Sequence, residues 1–178
     1  MKSDSPSIVQ VFAYGSNMHT RRMRARVPSA TPIAKGYVPG RRFALHKRSE
    51  DGSAKADALF TGRVSDRVWG IVYQLDAAEK PILDEHEFLG VGYDEHVVDV
   101  VAEQEELSAG MYVARAEAID GSLLCYSWYK ELVVHGAREH SLPADYIAQL
   151  QNFASTLDPD AARHALHREL LIGRSPTP

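Results

Sequence analysis

Two short stretches of this 178-residue chain concentrate side chains that could do chemistry. The first is Tyr14-Gly15-Ser16-Asn17, where a glycine and two short polar residues follow the apolar run from Ile8. If a strand delivers this tetrapeptide to the start of a helix, several backbone N–H groups there lack a helical acceptor, and glycine lets a ligand approach them closely. Such a place attracts a carboxylate or a developing oxyanion, aided by the helix dipole. An ordinary turn with an N-cap explains most tetrapeptides of this composition equally well, so the turn alone does not specify a site. The second stretch is Leu83-Asp84-Glu85-His86-Glu87, four ionisable residues in succession behind an apolar one. On a helix Asp84 and Glu87 share a face beside Leu83, while Glu85 points elsewhere. A glutamate drawn into apolar surroundings keeps its proton to higher pH, which suits proton transfer near neutrality. Read in isolation, a solvated helix end is the commoner fate of such acids.

The elements that must position these groups follow from residue type and punctuation. Ile8 to Tyr14 reads as a strand, Gly15 to Asn17 as the turn that ends it, and Met18 to Val27 as a short helix stopped before Pro28. Ile33 to His46 and Ala58 to Val64 read as strands around a polar loop, Lys47 to Lys55. Val68 to Leu75 is a strand rich in β-branched and aromatic residues. Asp76 caps a helix from Ala77 to about Phe88, with Pro81 as an alternative start. Three further strands are expected, Tyr93 to Val101, Tyr112 to Ile119 and Leu123 to Tyr129, with an acidic loop from Ala102 to Gly110 and a hairpin turn at Asp120-Gly121. Beyond Tyr129 the pattern is helical, with Pro143 and Pro159 in first turns, Asp158 as an N-cap, and Leu166 and Leu170 on one apolar side. Strands in the middle, with helices inserted and appended, predict an α+β fold built on a closed or partly closed mixed β-barrel. The length suits one domain over residues 1–178, ending in a flexible tail at residues 173–178.

Composition removes several function classes. A net charge of -4 gives no overall pull toward nucleic acid or an anionic membrane. No apolar run approaches the roughly 20 residues that span a bilayer, and Met1 to Ser7 lacks the apolar core of a secretory signal, so a cytoplasmic protein is expected. Cys125 is the single cysteine and lies in an apolar, aromatic run, where packing is the expected role. Neither His164 and His167 nor His135 and His140 have a third ligand at a metal-binding spacing, so no metal is expected. Arg21, Arg22, Arg24 and Arg26 form a basic helix, either a solvated face or a guide for an anionic substrate.

Taken together, the motifs resemble one family. Phe12-Ala13-Tyr14-Gly15-Ser16-Asn17-Met18 is similar to the FAYGSNL-type loop of the γ-glutamylcyclotransferases, and Leu83 to Glu87 is similar to their LDxxE segment. Between these, Trp69-Gly70-Ile71-Val72-Tyr73 resembles the family's WGVV strand. Later, Gly136-Ala137-Arg138-Glu139, Leu142-Pro143 and Tyr146 resemble its GAKE, LP and Y segment, so the likeness runs in order from about Val9 to Leu150. The resemblance implies a γ-glutamylcyclotransferase-like (AIG2-like) barrel that converts a γ-glutamyl amide to 5-oxoproline and a free amine. It implies Glu87 as the proton-transferring residue, with Tyr14, Gly15, Ser16, Asn17, Met18, Tyr93 and Tyr129 at the substrate. Tyr112 competes with Tyr93 for one of these places. The partner implied is a small γ-glutamyl molecule, without cofactor, and a homodimer is expected by likeness alone. Many relatives carry glycine directly after the catalytic glutamate, whereas Phe88 stands here. The leaving half stays open between an amino acid or peptide, a simple amine and a natural-product precursor. A non-catalytic module that holds a carboxylate-bearing ligand is the alternative to an enzyme.

Overall fold

In the computed structural model, which describes residues 7–173, the longest apolar runs close on one another as a barrel. In chain order the elements are β1 (Ile8–Ala13), a 3-10 turn (Ser16–Met18), α1 (Thr20–Arg26), β2 (Thr31–Pro39), β3 (Arg41–Arg48), β4 (Ala54–Phe60) and β5 (Arg67–Asp76). They continue with α2 (Lys80–His86), β6 (Tyr93–Ala102), β7 (Glu106–Ala114), β8 (Cys125–Tyr126), α3 (Ser127–Glu139), α4 (Ala144–Asn152), β9 (Ser155–Thr156) and α5 (Ala161–Ile172). The barrel order is β1-β5-β2-β6-β7. Its neighbours are antiparallel except at the closure, where β1 and β7 run parallel and pair at Val11 and Gly110. The α+β mixed barrel expected from the sequence is therefore the architecture observed. β5 explains its own central place: Val68, Ile71, Val72, Tyr73 and Leu75 are all buried, as in a strand covered on both faces.

Several boundaries differ from expectation, each for a local reason. The single strand Ile33 to His46 is two, because Gly40 takes a left-handed turn (φ +73°) after Pro39. The polar loop Lys47 to Lys55 shrinks, since Lys47 pairs with Lys55 and Arg48 with Ala54 across the β3–β4 hairpin. β4 ends at Phe60, short of the expected Val64, with Gly62 (φ +68°) turning the chain. β7 occupies Glu106–Ala114, not Tyr112 to Ile119, so most of the expected acidic loop is strand. The strand Leu123 to Tyr129 is only two residues long before α3 begins, and Asp120-Gly121 joins no hairpin. Tyr126 to Tyr129 has strand-like types but buries Trp128 and Tyr129 from the first turn of a helix. His19 breaks the expected helix Met18 to Val27 and caps α1, while α2 has Pro in its first turn. Pro143 is the N-cap of α4. Asp160, not Asp158, caps α5. The expected tail lies outside the described residues except for Gly173, which closes α5 in a left-handed conformation.

The C-terminal helix docks through polar and aromatic contacts. Leu166 is exposed, so the apolar side expected of Leu166 and Leu170 is incomplete. Instead His167 stacks on Trp128 with ring centres 3.8 Å apart, and Asp158 accepts a hydrogen bond from Trp128 Nε1 at 2.8 Å while pairing with Arg163. Burial, then the charge of Arg22 beside the ring, lowers the His167 pKa to about 4. In the unfolded chain this imidazole would gain its proton near pH 6.5. Between those limits the unfolded state binds more protons, so stability falls as pH drops from 6.5 toward 4. His167→Phe is expected to flatten that part of a plot of thermal midpoint against pH. The remaining slope belongs to groups such as His19 and His140, which burial also lowers.

Candidate active site

At the end of β1 the chain leaves the barrel at Tyr14 and makes the 3-10 turn Ser16–Met18. Met18 N donates to Gly15 O at 3.0 Å and His19 N to Ser16 O at 3.2 Å, which fixes the turn. The N–H groups of Gly15, Ser16 and Asn17 find no acceptor among the described residues, the usual condition of first-turn donors. α3 packs directly on this turn because it presents Gly136 there. A Cβ on Gly136 would lie 2.5 Å from His19 N and 2.7 Å from Met18 C. Gly15 serves a similar purpose, since its Cβ would stand 3.1 Å from both Ala56 Cβ and Tyr129 Oη.

Glu87 comes to the same place from the other direction. It is the C-cap of α2, and its side chain is 16% exposed. Its Oε1 accepts from Asn17 Nδ2 at 2.8 Å and from Arg26 Nη1 at 2.7 Å, and Arg26 Nη1 also donates to Asn17 Oδ1 at 3.1 Å. The acid and the turn, 70 positions apart in sequence, are thus joined by one hydrogen bond. Oε2 takes no hydrogen bond from a described residue, so one carboxylate oxygen is left for a ligand.

A narrow cleft with about 40 Å³ of room opens between them. Tyr14, Gly15, Ser16, Asn17, Glu87, Tyr93 and Tyr129 all line it, which brings together seven of the eight site residues expected from the sequence. Met18 is the exception. Its side chain is fully buried in the core, and its carbonyl accepts from Tyr73 Oη at 2.9 Å and His140 Nε2 at 3.0 Å, so it anchors the turn from behind. The choice between Tyr93 and Tyr112 dissolves, because both line the cleft from adjacent strands, with ring centres 6.5 Å apart.

The tyrosines are fixed by their own hydroxyls. Tyr14 donates to Tyr112 O, Tyr93 to Ala56 O at 2.6 Å and Tyr112 to Asp84 Oδ1 at 2.6 Å, while Tyr129 Oη accepts from Ala56 N at 3.0 Å. Burial raises the pKa of all four phenols above the ordinary value of 10, and neighbouring negative charge adds to it at Tyr14, Tyr93 and Tyr112. They stay protonated at neutral pH, which leaves Glu87 as the cleft's ionisable acid. Among the described residues no three His, Cys, Asp or Glu side chains gather as a metal site, and Cys125 is buried in the core.

Arg26 and Ala56 were not anticipated at the site, and Tyr112 was expected there only as an alternative to Tyr93. Arg22 and Arg26 are four apart and share one helix face, so that spacing was the available clue to two inward-facing arginines. Both are largely shielded from solvent, against the reading of the basic helix as a solvated face. Ala56 acts through its backbone, which leaves no mark in a sequence.

Known proteins resemble this chain in sequence and in fold. Residues 67–150 match the AIG2-like family. The chain is 29% identical over 150 residues to the γ-glutamylcyclotransferase of Homo sapiens, covering 79% of this chain and 76% of that one. It is 28% identical over 151 residues to the Bos taurus γ-glutamylcyclotransferase, with the same coverage. A solved structure of a γ-glutamyl cyclotransferase superimposes with a TM-score of 0.77 over 84% of this chain and 90% of that one, at 24% identity, a likeness of fold. Among the described residues no helix is long and apolar enough to cross a membrane.

Proposed function

From the premise that this chain is a relative of the γ-glutamylcyclotransferases and carries their fold, we propose that it converts a γ-glutamyl amino acid or peptide to 5-oxoproline and a free amine. The observation that carries the reading is the 2.8 Å hydrogen bond from Asn17 to Glu87, which sets a carboxylate and a row of free backbone donors around one cleft.

The reaction needs no external nucleophile. Glu87 takes a proton from the substrate's α-ammonium, and the freed amine attacks the γ-carbonyl carbon, closing a five-membered lactam. The carbonyl oxygen becomes negative as the ring forms, and the N–H groups of Gly15 to Asn17 are available to it or to the substrate carboxylate. When the amide C–N bond breaks, the departing nitrogen takes the proton from Glu87, and the surplus proton on the ring nitrogen passes to the released amine, which leaves as its ammonium, so Glu87 serves first as base and then as acid. Asn17 and Arg26 hold Oε1 throughout, leaving Oε2 to move the proton. The narrow cleft keeps the glutamyl chain bent, and holding reacting groups in place contributes several kcal/mol of barrier reduction. The reading takes the protein to be cytoplasmic, with a homodimer as its assembled form by likeness.

Incubation with a panel of γ-glutamyl amino acids and dipeptides, followed by chromatographic measurement of 5-oxoproline, tests it. Stoichiometric 5-oxoproline and free amine are expected. Binding of these compounds without any turnover would instead make the fold a carboxylate-holding module.

A further inference from the structure

Beside the cleft lies a lysine that has no counterion among the described residues. Lys47, near the end of β3, is only 6% exposed, yet among the described residues no carboxylate lies within ion-pair distance and no group accepts a hydrogen bond from its Nζ. The ammonium rests over two rings, 4.8 Å from the centre of Tyr93 and 5.8 Å from that of Phe88. The surrounding backbone is shaped for it. A side chain on Gly92 would begin 2.6 Å from Lys47 Cε and Nζ, so glycine keeps that space open. Phe88 adopts a left-handed conformation (φ +53°) directly after Glu87, and its carbonyl accepts from Val91 N and Gly92 N, folding residues 88–92 around the lysine's end.

Burying an unpaired ammonium is costly unless a ligand supplies the missing charge. A groove of about 380 Å³ opens here, lined by Lys47, Ser49, Phe88 and Gly92, with Glu50 and Glu117 among its acids. Glu117 lies 3.7 Å from Arg115 and Asp51 is taken by Lys55 at 2.6 Å, while Glu50, although it lines the same groove, stands beyond ion-pair distance of Lys47. Among charged neighbours Glu87 acts most strongly on it. Through Tyr93, which lines the cleft, and Phe88, which follows Glu87 in the chain, the lysine stands beside the residue that returns the proton to the departing amine. Because the cleft itself has only about 40 Å³ of room, the departing half of a substrate must lie outside it.

We propose that Lys47 is a specificity-determining residue, whose ammonium receives a carboxylate carried by the departing half of the substrate. The inference rests on the cyclising activity proposed above. It separates substrates whose leaving amine bears an anionic group from those whose leaving amine is a plain alkylamine. The contact is the same before and during ring closure, so it acts on KM more than on kcat.

The test compares γ-glutamylalanine with γ-glutamylethylamide, which differ by one carboxylate. The parent protein is expected to favour the former in kcat/KM by about 10–100-fold, the worth of one charge-assisted hydrogen bond, expressed mainly in KM. Lys47→Met should bring the ratio close to unity, and Lys47→Arg should keep most of it. Both substrates are measured on the same preparation, so any loss of folded protein cancels from the ratio. Equal efficiency in the parent, or an unaltered ratio in Lys47→Met, would overturn the role of Lys47 while leaving the activity standing. Absence of 5-oxoproline from both compounds would overturn the activity and this inference together.

Discussion

Glu87→Gln is expected to lower 5-oxoproline release by about 10²–10⁴-fold while leaving the fold in place, the usual scale of a lost general acid–base group. The amide is nearly the size of the carboxylate, and its oxygen can still accept from Asn17 and Arg26, which meet at Oε1 in the parent. What it cannot do is take a proton from an ammonium. The four tyrosines of the cleft cannot substitute, because burial keeps them protonated. Losing the charge opposite Arg26 costs some stability. Full loss of a buried partner costs about 3–5 kcal/mol. Arg26 is 18% exposed and retains Asn17, so the cost here should fall well short of that range. Circular dichroism and saturating-substrate rates on the same sample separate the two effects. A parent-like rate would remove Glu87 from the chemistry.

Gly136→Ala should damage the site through one methyl group, although Gly136 does not line the cleft. On propensity alone, alanine in a helix interior gains about 1 kcal/mol over glycine. The new Cβ, however, would stand 2.5 Å from His19 N and 2.7 Å from Met18 C, both backbone atoms that cannot rotate aside. Overpacking of this kind costs about 1–3 kcal/mol, so the clash outweighs the propensity gain. α3 or the 3-10 turn must move, and the turn carries the donors beside Glu87. Misplacing reacting groups by about 1 Å costs on the order of 10²-fold in rate, and that is the loss expected in kcat/KM. A higher thermal midpoint with an unchanged rate would show that the helix and turn are not packed against each other as described.

The sequence was most informative where structure is local. The turn at Tyr14 and the acid at Glu87 each sit in a short segment whose types declare a strand end and a helix end, and both elements lie close to where those types put them. β5 was legible because burial on both faces demands a continuous apolar run. The aromatic run into α3 misled, since Trp128 and Tyr129 suit a strand by type and are helical only because the barrel and α5 cover them. Arg26 went unread at the site because its partner is distant in the chain. Nothing near Arg26 in the chain shows that it will meet a carboxylate 61 positions away.

The ring formed by β1, β5, β2, β6 and β7 has a consequence beyond the cleft. Its closure is narrow: β1 meets β7 at the single pair Val11 and Gly110, and β2 meets β6 only at Gly36–Ala102 and Tyr37–Val101, so long stretches of β6 and β7 keep one edge outside the ring's own pairing. A second polypeptide that adds a strand by backbone pairing would therefore meet those edges of β6 and β7 or the separate β3–β4 ribbon.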